Sequence, residues 1–318
     1  MSDKIVITGG AGFIGSNLSN YILSQELGEV TVFDNLSVGS LRNLNRLHLE
    51  DKVNLIIAEI EDSKTLAQSL ENASVVIHLA ANANIAASQD DPELDHRLGT
   101  NLALRVFSEC VRQEIPRVVY ASGSGVYGDL GGMRVKEDSF PLNPISTYGA
   151  SKLACESYLK AFANMYGLNS VSFRFANVVG PNQTHGITYD FARRLSLDSQ
   201  HLTVLGDGSQ RKMYVDVVDV CRAIMLATTL PTPGASVYNL GNDSTITVKE
   251  IAEIAVDLFG HPTTQIRYGK EPRGWRGDVP LVELDDSQLR ELGWKPTHNS
   301  REVIERGLKF AFEEYANE

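Results

Sequence analysis

Tyr148 and Lys152 stand four residues apart in the run Ser146-Thr-Tyr-Gly-Ala-Ser-Lys152. On a helix that spacing puts both side chains on one face, one turn apart. A tyrosine phenol ionises near pH 10 and is a poor base at neutrality; bringing it there takes roughly 3 pH units, or about 4 kcal/mol. One cation about 4 Å away, at an effective dielectric of about 20, supplies roughly 4 kcal/mol. The pair therefore reads as an acid–base device in which Tyr148 exchanges a proton with a substrate hydroxyl and Lys152 stabilises its charge. Upstream lies a hydroxyl-rich stretch, Val118-Val-Tyr-Ala-Ser-Gly-Ser-Gly-Val-Tyr-Gly128. It ends a strand-like run, and Ser122 or Ser124 could hydrogen-bond a substrate oxygen and share its proton with Tyr148. Spacing leaves open which of the two serves.

The elements that must position these groups begin at the N-terminus. A β-branched run, Lys4-Ile-Val-Ile-Thr8, leads into glycines at 9, 12 and 15 and then into an apolar-periodic helix. A pyrophosphate needs backbone N–H groups and a helix N-terminus aimed at it, with no side chain in the way. Gly9 permits the tight turn, Gly12 close approach of the ligand, and Gly15 close packing of the helix. A second strand, Val30-Thr-Val-Phe33, ends in Asp34, 19 residues past Gly15. An acid there accepts hydrogen bonds from the adenosine ribose hydroxyls. It would also repel a 2′-phosphate, and Asn35, Leu36 and Ser37 offer no cation; Arg42 is the nearest. The pattern predicts a dinucleotide site that prefers NAD to NADP. An oxidised nicotinamide would add to the field of Lys152 on Tyr148.

Strand signals recur at Ile5–Thr8, Val30–Asp34, Val53–Ile60, Val75–Ala80, Arg117–Ser122 and Ser170–Phe175. Helical stretches at Phe13–Gln25, Ser63–Ser69, Leu98–Gln113 and Ser151–Tyr166 alternate with them. Such alternation predicts an α/β fold, a Rossmann-type doubly wound parallel sheet covered on both faces. After residue 176 loops rich in Gly, Pro, Asn and Thr appear, with shorter strands and a helix at Val248–Phe259. We expect an NAD-binding domain over residues 1–176, with a returning segment at 212–241. A smaller interleaved α/β substrate lobe would comprise 177–211 and 242–318.

A chain of 318 residues suits one large or two intimate domains. Its net charge of −11 argues against nucleic acid or an anionic membrane as main partners, without forbidding a local basic pocket. No apolar run reaches the length of a membrane span. With the first strand starting at residue 4, no signal peptide is expected. The three cysteines, Cys110, Cys155 and Cys221, are far apart with no C-x-x-C, so buried thiols in a reducing cytoplasm are expected. The seven histidines form no metal-ligand spacing. Helices Leu98–Gln113 and Ser151–Tyr166 carry apolar residues beyond one face, namely Leu102, Val106, Cys110, Leu153, Leu159 and Phe162. A second apolar face predicts a helix-bundle homodimer.

The chain resembles the extended short-chain dehydrogenase/reductases of the NAD-dependent epimerase/dehydratase family, nearest the UDP-glucose/UDP-galactose 4-epimerase branch. The resemblance runs nearly end to end. It rests on Thr8-Gly-Gly-Ala-Gly-Phe-Ile-Gly15, Asp34-Asn-Leu-Ser-Val-Gly39, His78-Leu-Ala-Ala81 and Tyr148…Lys152. It continues through Arg174-Phe-Ala-Asn177, Gly206-Asp-Gly-Ser-Gln210 and Leu292-Gly-Trp-Lys-Pro296. It implies that tightly held NAD is lined by Gly9, Gly12, Phe13, Ile14, Gly15, Asp34, Asn35, Ser37, Gly39, Glu59 and Ile60. Leu79, Ala80, Ala81, Tyr148, Lys152 and Phe175 would complete that lining. It also implies that a nucleotide sugar meets Asn177, and that Lys212, Arg273 or Arg276 neutralises its phosphates. The implied reaction oxidises the sugar at C4 to a 4-keto species and reduces it again from the opposite face.

Departures from the family pattern bear on the substrate. Gly123 interrupts the usual serine run, Lys212 stands where arginine is usual, His96 replaces an asparagine, and Ala83 replaces a common lysine. The 4,6-dehydratases carry an Asp-Glu pair after the strand-end serine, and the decarboxylases a Glu. Ser124-Gly125 here is inert for those steps, which favours epimerisation. The alternatives are a decarboxylase, reductase or dehydratase whose base lies elsewhere, or a nucleotide-binding member with lapsed chemistry. Retention of both Tyr148 and Lys152 argues against the last.

Overall fold

The computed structural model describes residues 3–316 except Thr232, Trp275, Arg276, Asp278 and Pro280. The chain forms two compact units, one of residues 1–126, 146–174 and 221–238, the other of 127–145, 175–220 and 239–318. The second excursion differs from the expected division. Residues 127–145 pack with the second unit, where Tyr127 Oη donates to Asn239 Oδ1 (2.7 Å) and Glu137 accepts from the Asn239 amide. The segment returning to the first unit is 221–238, shorter than the expected 212–241.

The first unit is built on a seven-stranded sheet. Its strands are β1 (Lys4–Thr8), β2 (Glu29–Asp34), β3 (Asn54–Ile57), β4 (Val75–His78), β5 (Val118–Gly123), β6 (Ser170–Phe175) and β7 (Ala235–Leu240). Their spatial order is β7-β6-β5-β4-β1-β2-β3, and every pairing from β3 through β5 is parallel. β4 and β6 are buried along their whole length, as a parallel sheet covered by helices requires, whereas β3 at the sheet edge is partly exposed. Helices α1 (Phe13–Ser24), α2 (Leu41–Arg46), α3 (Ser63–Leu70), α4 (Leu102–Arg112), α5 (Thr147–Tyr166) and α6 (Val217–Thr229) connect them.

The core joins Val6, Phe33, Val76 and Tyr120 of the sheet to Leu66 of α3, Phe107 of α4 and Leu159 of α5. Val106, Cys110 and Leu159, expected on a second apolar face, belong to this core. The outer side of α5 instead exposes Tyr158, Met165 and Tyr166. α5 starts at Thr147, earlier than its apolar period suggested. Ser146 caps it by accepting from Gly149 N (3.1 Å), and Gly167 ends it in the left-handed region at φ +72°. α4 is shorter than expected because a π-helical turn, His96–Asn101, precedes it. No described helix is long and apolar enough to cross a membrane.

The second unit holds a four-stranded sheet of short segments in the order Ile246–Thr247, Arg211–Lys212, Leu281–Leu284, Arg134–Val135. Two parallel strand pairs, helices Ile187–Leu197, Val248–Phe259 and Ser300–Ala316 and the short helix Ser287–Glu291 accompany it. Phe191, Leu202, Ile251, Ile304 and Leu308 form its core. Thr247 and Glu250 close a reciprocal cap on helix Val248–Phe259.

Candidate active site

In the first unit, the glycine loop after β1, the segment after Asp34, residues Glu59–Ile60 and Leu79–Ala81 all follow the C-terminal ends of adjacent strands. Open α/β sheets bind ligands at that edge. Gly9 has φ +72°, and a Cβ there would stand 2.7 Å from the Ala80 nitrogen. At Gly15 a Cβ would press on the loop backbone, 2.6 Å from Gly10 Cα. Gly15 therefore packs α1 against the loop itself. A Cβ at Gly12 would meet only the Gly9 carbonyl oxygen, at 3.2 Å, so its other side stays open. Phe13 and Ile14 are half-buried in the first turn of α1.

Asp34 is buried at the tip of β2. Its Oδ2 accepts from Ala11 N (2.9 Å) and its Oδ1 from Leu36 N (2.8 Å), which ties the glycine loop to the strand. Gly39 lies flat on the carboxylate, where a Cβ would come within 2.7 Å of both oxygens. Burial raises the Asp34 pKa from its ordinary value, and the two backbone hydrogen bonds oppose the rise. Asn35 donates to Glu59 Oε2 (2.9 Å) and accepts from the Ser37 amide and hydroxyl. Ile60 is buried, and Leu79, Ala80 and Ala81 are half-buried. A cradle that side chains would fill, beside an acid whose oxygens keep unused lone pairs, fits the adenosine and pyrophosphate of a dinucleotide without a 2′-phosphate.

α5 carries Tyr148 and Lys152 on one face. Lys152 is 4% exposed, and its ammonium donates to the Ala121 carbonyl of β5 (2.7 Å). The same nitrogen stands 5.3 Å from the Tyr148 ring centroid. Tyr148 itself is only half-buried, so a ligand can reach it.

The structure separates the two candidate serines. Ser122 is buried, and its hydroxyl donates to Glu156 Oε1 (2.6 Å). Glu156 in turn accepts from Arg174 Nε (3.0 Å) and Nη2 (2.7 Å), a bidentate pair with both partners at most 2% exposed. Ser122 thus belongs to a buried charged network. Ser124 is half-buried, and its hydroxyl makes no hydrogen bond among the described residues. Gly123 lies against the Tyr148 ring; a Cβ there would be 3.9 Å from Cε1.

Sequence reasoning missed Glu156, although it is one turn beyond Lys152 on the same face. It also missed Asp95, a buried carboxylate that accepts from Asn82 Nδ2 (2.9 Å) and from Thr147 Oγ1 (2.7 Å), next to Tyr148. No spacing signal marks Asp95, which lies 52 residues from its partner on α5.

The remaining candidates lie in the second unit. Phe175 is buried, and Asn177 is exposed on a strand with its amide 3.3 Å from the Met213 carbonyl. Lys212 is half-buried on its short strand. Arg273 is ion-paired with Asp129 (2.7 Å), a partner the sequence did not suggest, so part of its charge is already met. Arg276 lies outside the described residues.

The family model described as "NAD dependent epimerase/dehydratase family" matches residues 5–241. The chain is 32% identical to UDP-glucose 4-epimerase of Mycolicibacterium smegmatis over 96% of its own length and 98% of that protein's. UDP-glucose 4-epimerase of Thermus thermophilus, solved with NAD, superposes with a TM-score of 0.85 at 30% identity, covering 97% of this chain and 98% of that one. A dTDP-glucose 4,6-dehydratase of Streptomyces venezuelae, also solved with NAD, superposes with a TM-score of 0.89 at 26% identity, covering 98% of each chain. On its glycine loop, its strand-tip acid and these matches, the chain belongs to the NAD-dependent epimerase/dehydratase family of extended short-chain dehydrogenase/reductases, and NAD is its cofactor.

Proposed function

We propose that the protein is an isomerase, a nucleotide-sugar 4-epimerase of the UDP-hexose type. The observation that carries this reading is the reachable Tyr148 phenol beside the anchored Lys152 ammonium, with Gly123-Ser124-Gly125 following Ser122 at the strand end. Tyr148 takes the proton of the sugar 4-hydroxyl and later returns it. Lys152, held by the Ala121 carbonyl, stabilises the phenolate meanwhile. Ser124, whose hydroxyl is uncommitted, hydrogen-bonds the same sugar oxygen, while Ser122 serves the Glu156 network. NAD, when bound, supplies a reversible two-electron acceptor for the sugar carbon. The glycine loop and Asp34 hold its pyrophosphate and ribose, with Asn35, Ser37, Glu59, Ile60 and Leu79–Ala81 around it. Asn177, Lys212 and Arg273 meet the nucleotide sugar, Arg273 by sharing its charge with Asp129.

The dehydratase relative makes elimination of water the competing chemistry. That reaction needs an additional acid and base, which Ser124-Gly125 does not supply. The exposed Tyr158, Met165 and Tyr166 on α5 support the homodimer. The NAD-loaded protein should interconvert UDP-glucose and UDP-galactose within a panel of UDP-, GDP- and dTDP-sugars followed by product NMR. Tyr148→Phe should lower kcat at least about 100-fold with NAD still bound. Turnover close to that of the unmodified protein in this variant contradicts the mechanism.

A further inference from the structure

A buried ammonium needs compensation, because desolvation disfavours its charge. Lys152 is 4% exposed and makes one hydrogen bond, to the Ala121 carbonyl, although an ammonium carries three donors. No carboxylate pairs with it among the described residues. Glu156, one turn on, is engaged by both arms of Arg174 and by Ser122. Two aromatic rings also face the ammonium. The Lys152 nitrogen lies 5.1 Å from the Tyr120 ring centroid and 5.3 Å from that of Tyr148, both within cation–π range. We propose that Tyr120 is a positioning residue, its buried ring forming an aromatic floor that holds the Lys152 ammonium where it acts on the Tyr148 phenol. The proposal rests on the acid–base reading of Tyr148.

The two tyrosines around Lys152 are not equivalent. Tyr120 is 2% exposed in β5, and burial pushes its phenol well above the ordinary value. Beside it stands Cys155, a thiol that burial also raises. The Tyr120 ring therefore stays neutral and keeps its negative face. The other titratable groups packed around it are His78 of β4, Tyr148, Cys155 and Glu156 of α5, and Arg174 of β6 through Glu156. His78 stacks on the Tyr120 ring with centroids 5.9 Å apart and planes 14° apart. Burial lowers the His78 pKa to about 3, so no second cation competes at the ring near neutrality. Only Tyr148 is both reachable and free of a hydrogen bond among the described residues. Removing the floor lets the ammonium drift or draw water, weakens its field at the phenol, and raises the pH at which Tyr148 ionises.

The test varies the ring at 120 in the NAD-loaded protein. Tyr120→Phe keeps the ring and loses only the hydroxyl. Pentafluorophenylalanine keeps nearly the same volume and reverses the ring's quadrupole, and Tyr120→Leu removes the ring. Tyrosinate absorbance is titrated in each, with Tyr148→Phe in the same background subtracted so that the difference reports Tyr148 alone. The Phe variant should leave the Tyr148 midpoint in place. The fluorinated and Leu variants should raise it by about one pH unit, equivalent to about tenfold less phenolate at neutrality. Should Leu fail to fold, the fluorinated ring decides the matter. An unmoved midpoint with the fluorinated ring overturns the proposal, and so does an equal shift with Phe, which would assign the effect to the Tyr120 hydroxyl. If no Tyr148-dependent ionisation appears below the range of an ordinary phenol even in the unmodified protein, the acid–base reading fails and takes this proposal with it.

Discussion

Ser122 and Ser124 are two residues apart, and their hydroxyls have different work. Ser122→Ala deletes a donor to the buried Glu156 carboxylate, and hydrogen bonds to charged groups contribute about 1.5–3 kcal/mol. It should lower unfolding free energy by about that much in urea titrations, with kcat changed less than about tenfold. Ser124→Ala should do the reverse, lowering kcat more than about tenfold with stability unchanged. Equal kinetic effects would remove the distinction. His78 makes a second residue-level prediction. Its Nδ1 meets Thr8 Oγ1 at 2.6 Å, and its Nε2 is buried without a partner among the described residues. Burial lowers its pKa to about 3 from an ordinary value near 6.5. The unfolded chain therefore binds a proton there that the folded chain does not, so its contribution is intact above about pH 6.5 and is lost as pH falls towards about 3. The slope is about 1.4 kcal/mol per pH unit for one proton. His78→Gln should remove that slope from urea unfolding measured between about pH 6 and about pH 4. The placement of Tyr148 and Lys152 on one helix face, of Gly9 and Gly15 in the loop and of Asp34 at a strand tip was legible because each depends on local spacing. Glu156, Arg174, Asp95 and Tyr120 were not, because their partners are set by sheet order and helix packing.

At the scale of elements, periodicity located six of the seven strands of the sheet and most of the helices between them, and missed the strand Ala235–Leu240. It placed the start of α5 too late, because Thr147, Tyr148 and Gly149 lack an apolar period and are held helical by the Ser146 cap and by the Asp95–Thr147 bond. It missed the π-helical turn before α4, where Gly99 packs against the Ser151 side chain. A single sequence carries no sign of such a turn, which depends on the neighbouring helix. The glycine loop is the element most sensitive to a single methyl. Gly15→Ala sets a Cβ against Gly10 backbone that cannot swing aside. Overpacking of this kind costs roughly 1–3 kcal/mol. The variant should lose Tm, and it should also lose the Tm increase that NAD gives the unmodified protein. A variant with both intact would show that α1 does not need this close approach.

For the whole molecule, composition excluded more than it identified. The balance of −11 pointed away from nucleic acid, and the scattered histidines and cysteines pointed away from a metal site. Residues 127–145 joined the second unit because their partners, Asn239 and Arg273, lie more than a hundred residues downstream. Light scattering at micromolar concentration should give the mass of a dimer, and Tyr158→Glu with Met165→Glu should shift it to monomer; an unmodified monomer contradicts the homodimer.

The reaction itself is tested most directly by incubating the NAD-loaded protein with UDP-glucose in D2O and following the sugar by proton NMR. Epimerisation at C4 through Tyr148 moves only the hydroxyl proton to and from solvent, so UDP-galactose should accumulate with every carbon-bound position still protonated. Deuterium on a sugar carbon, or loss of water to a 4-keto-6-deoxy product, would contradict it.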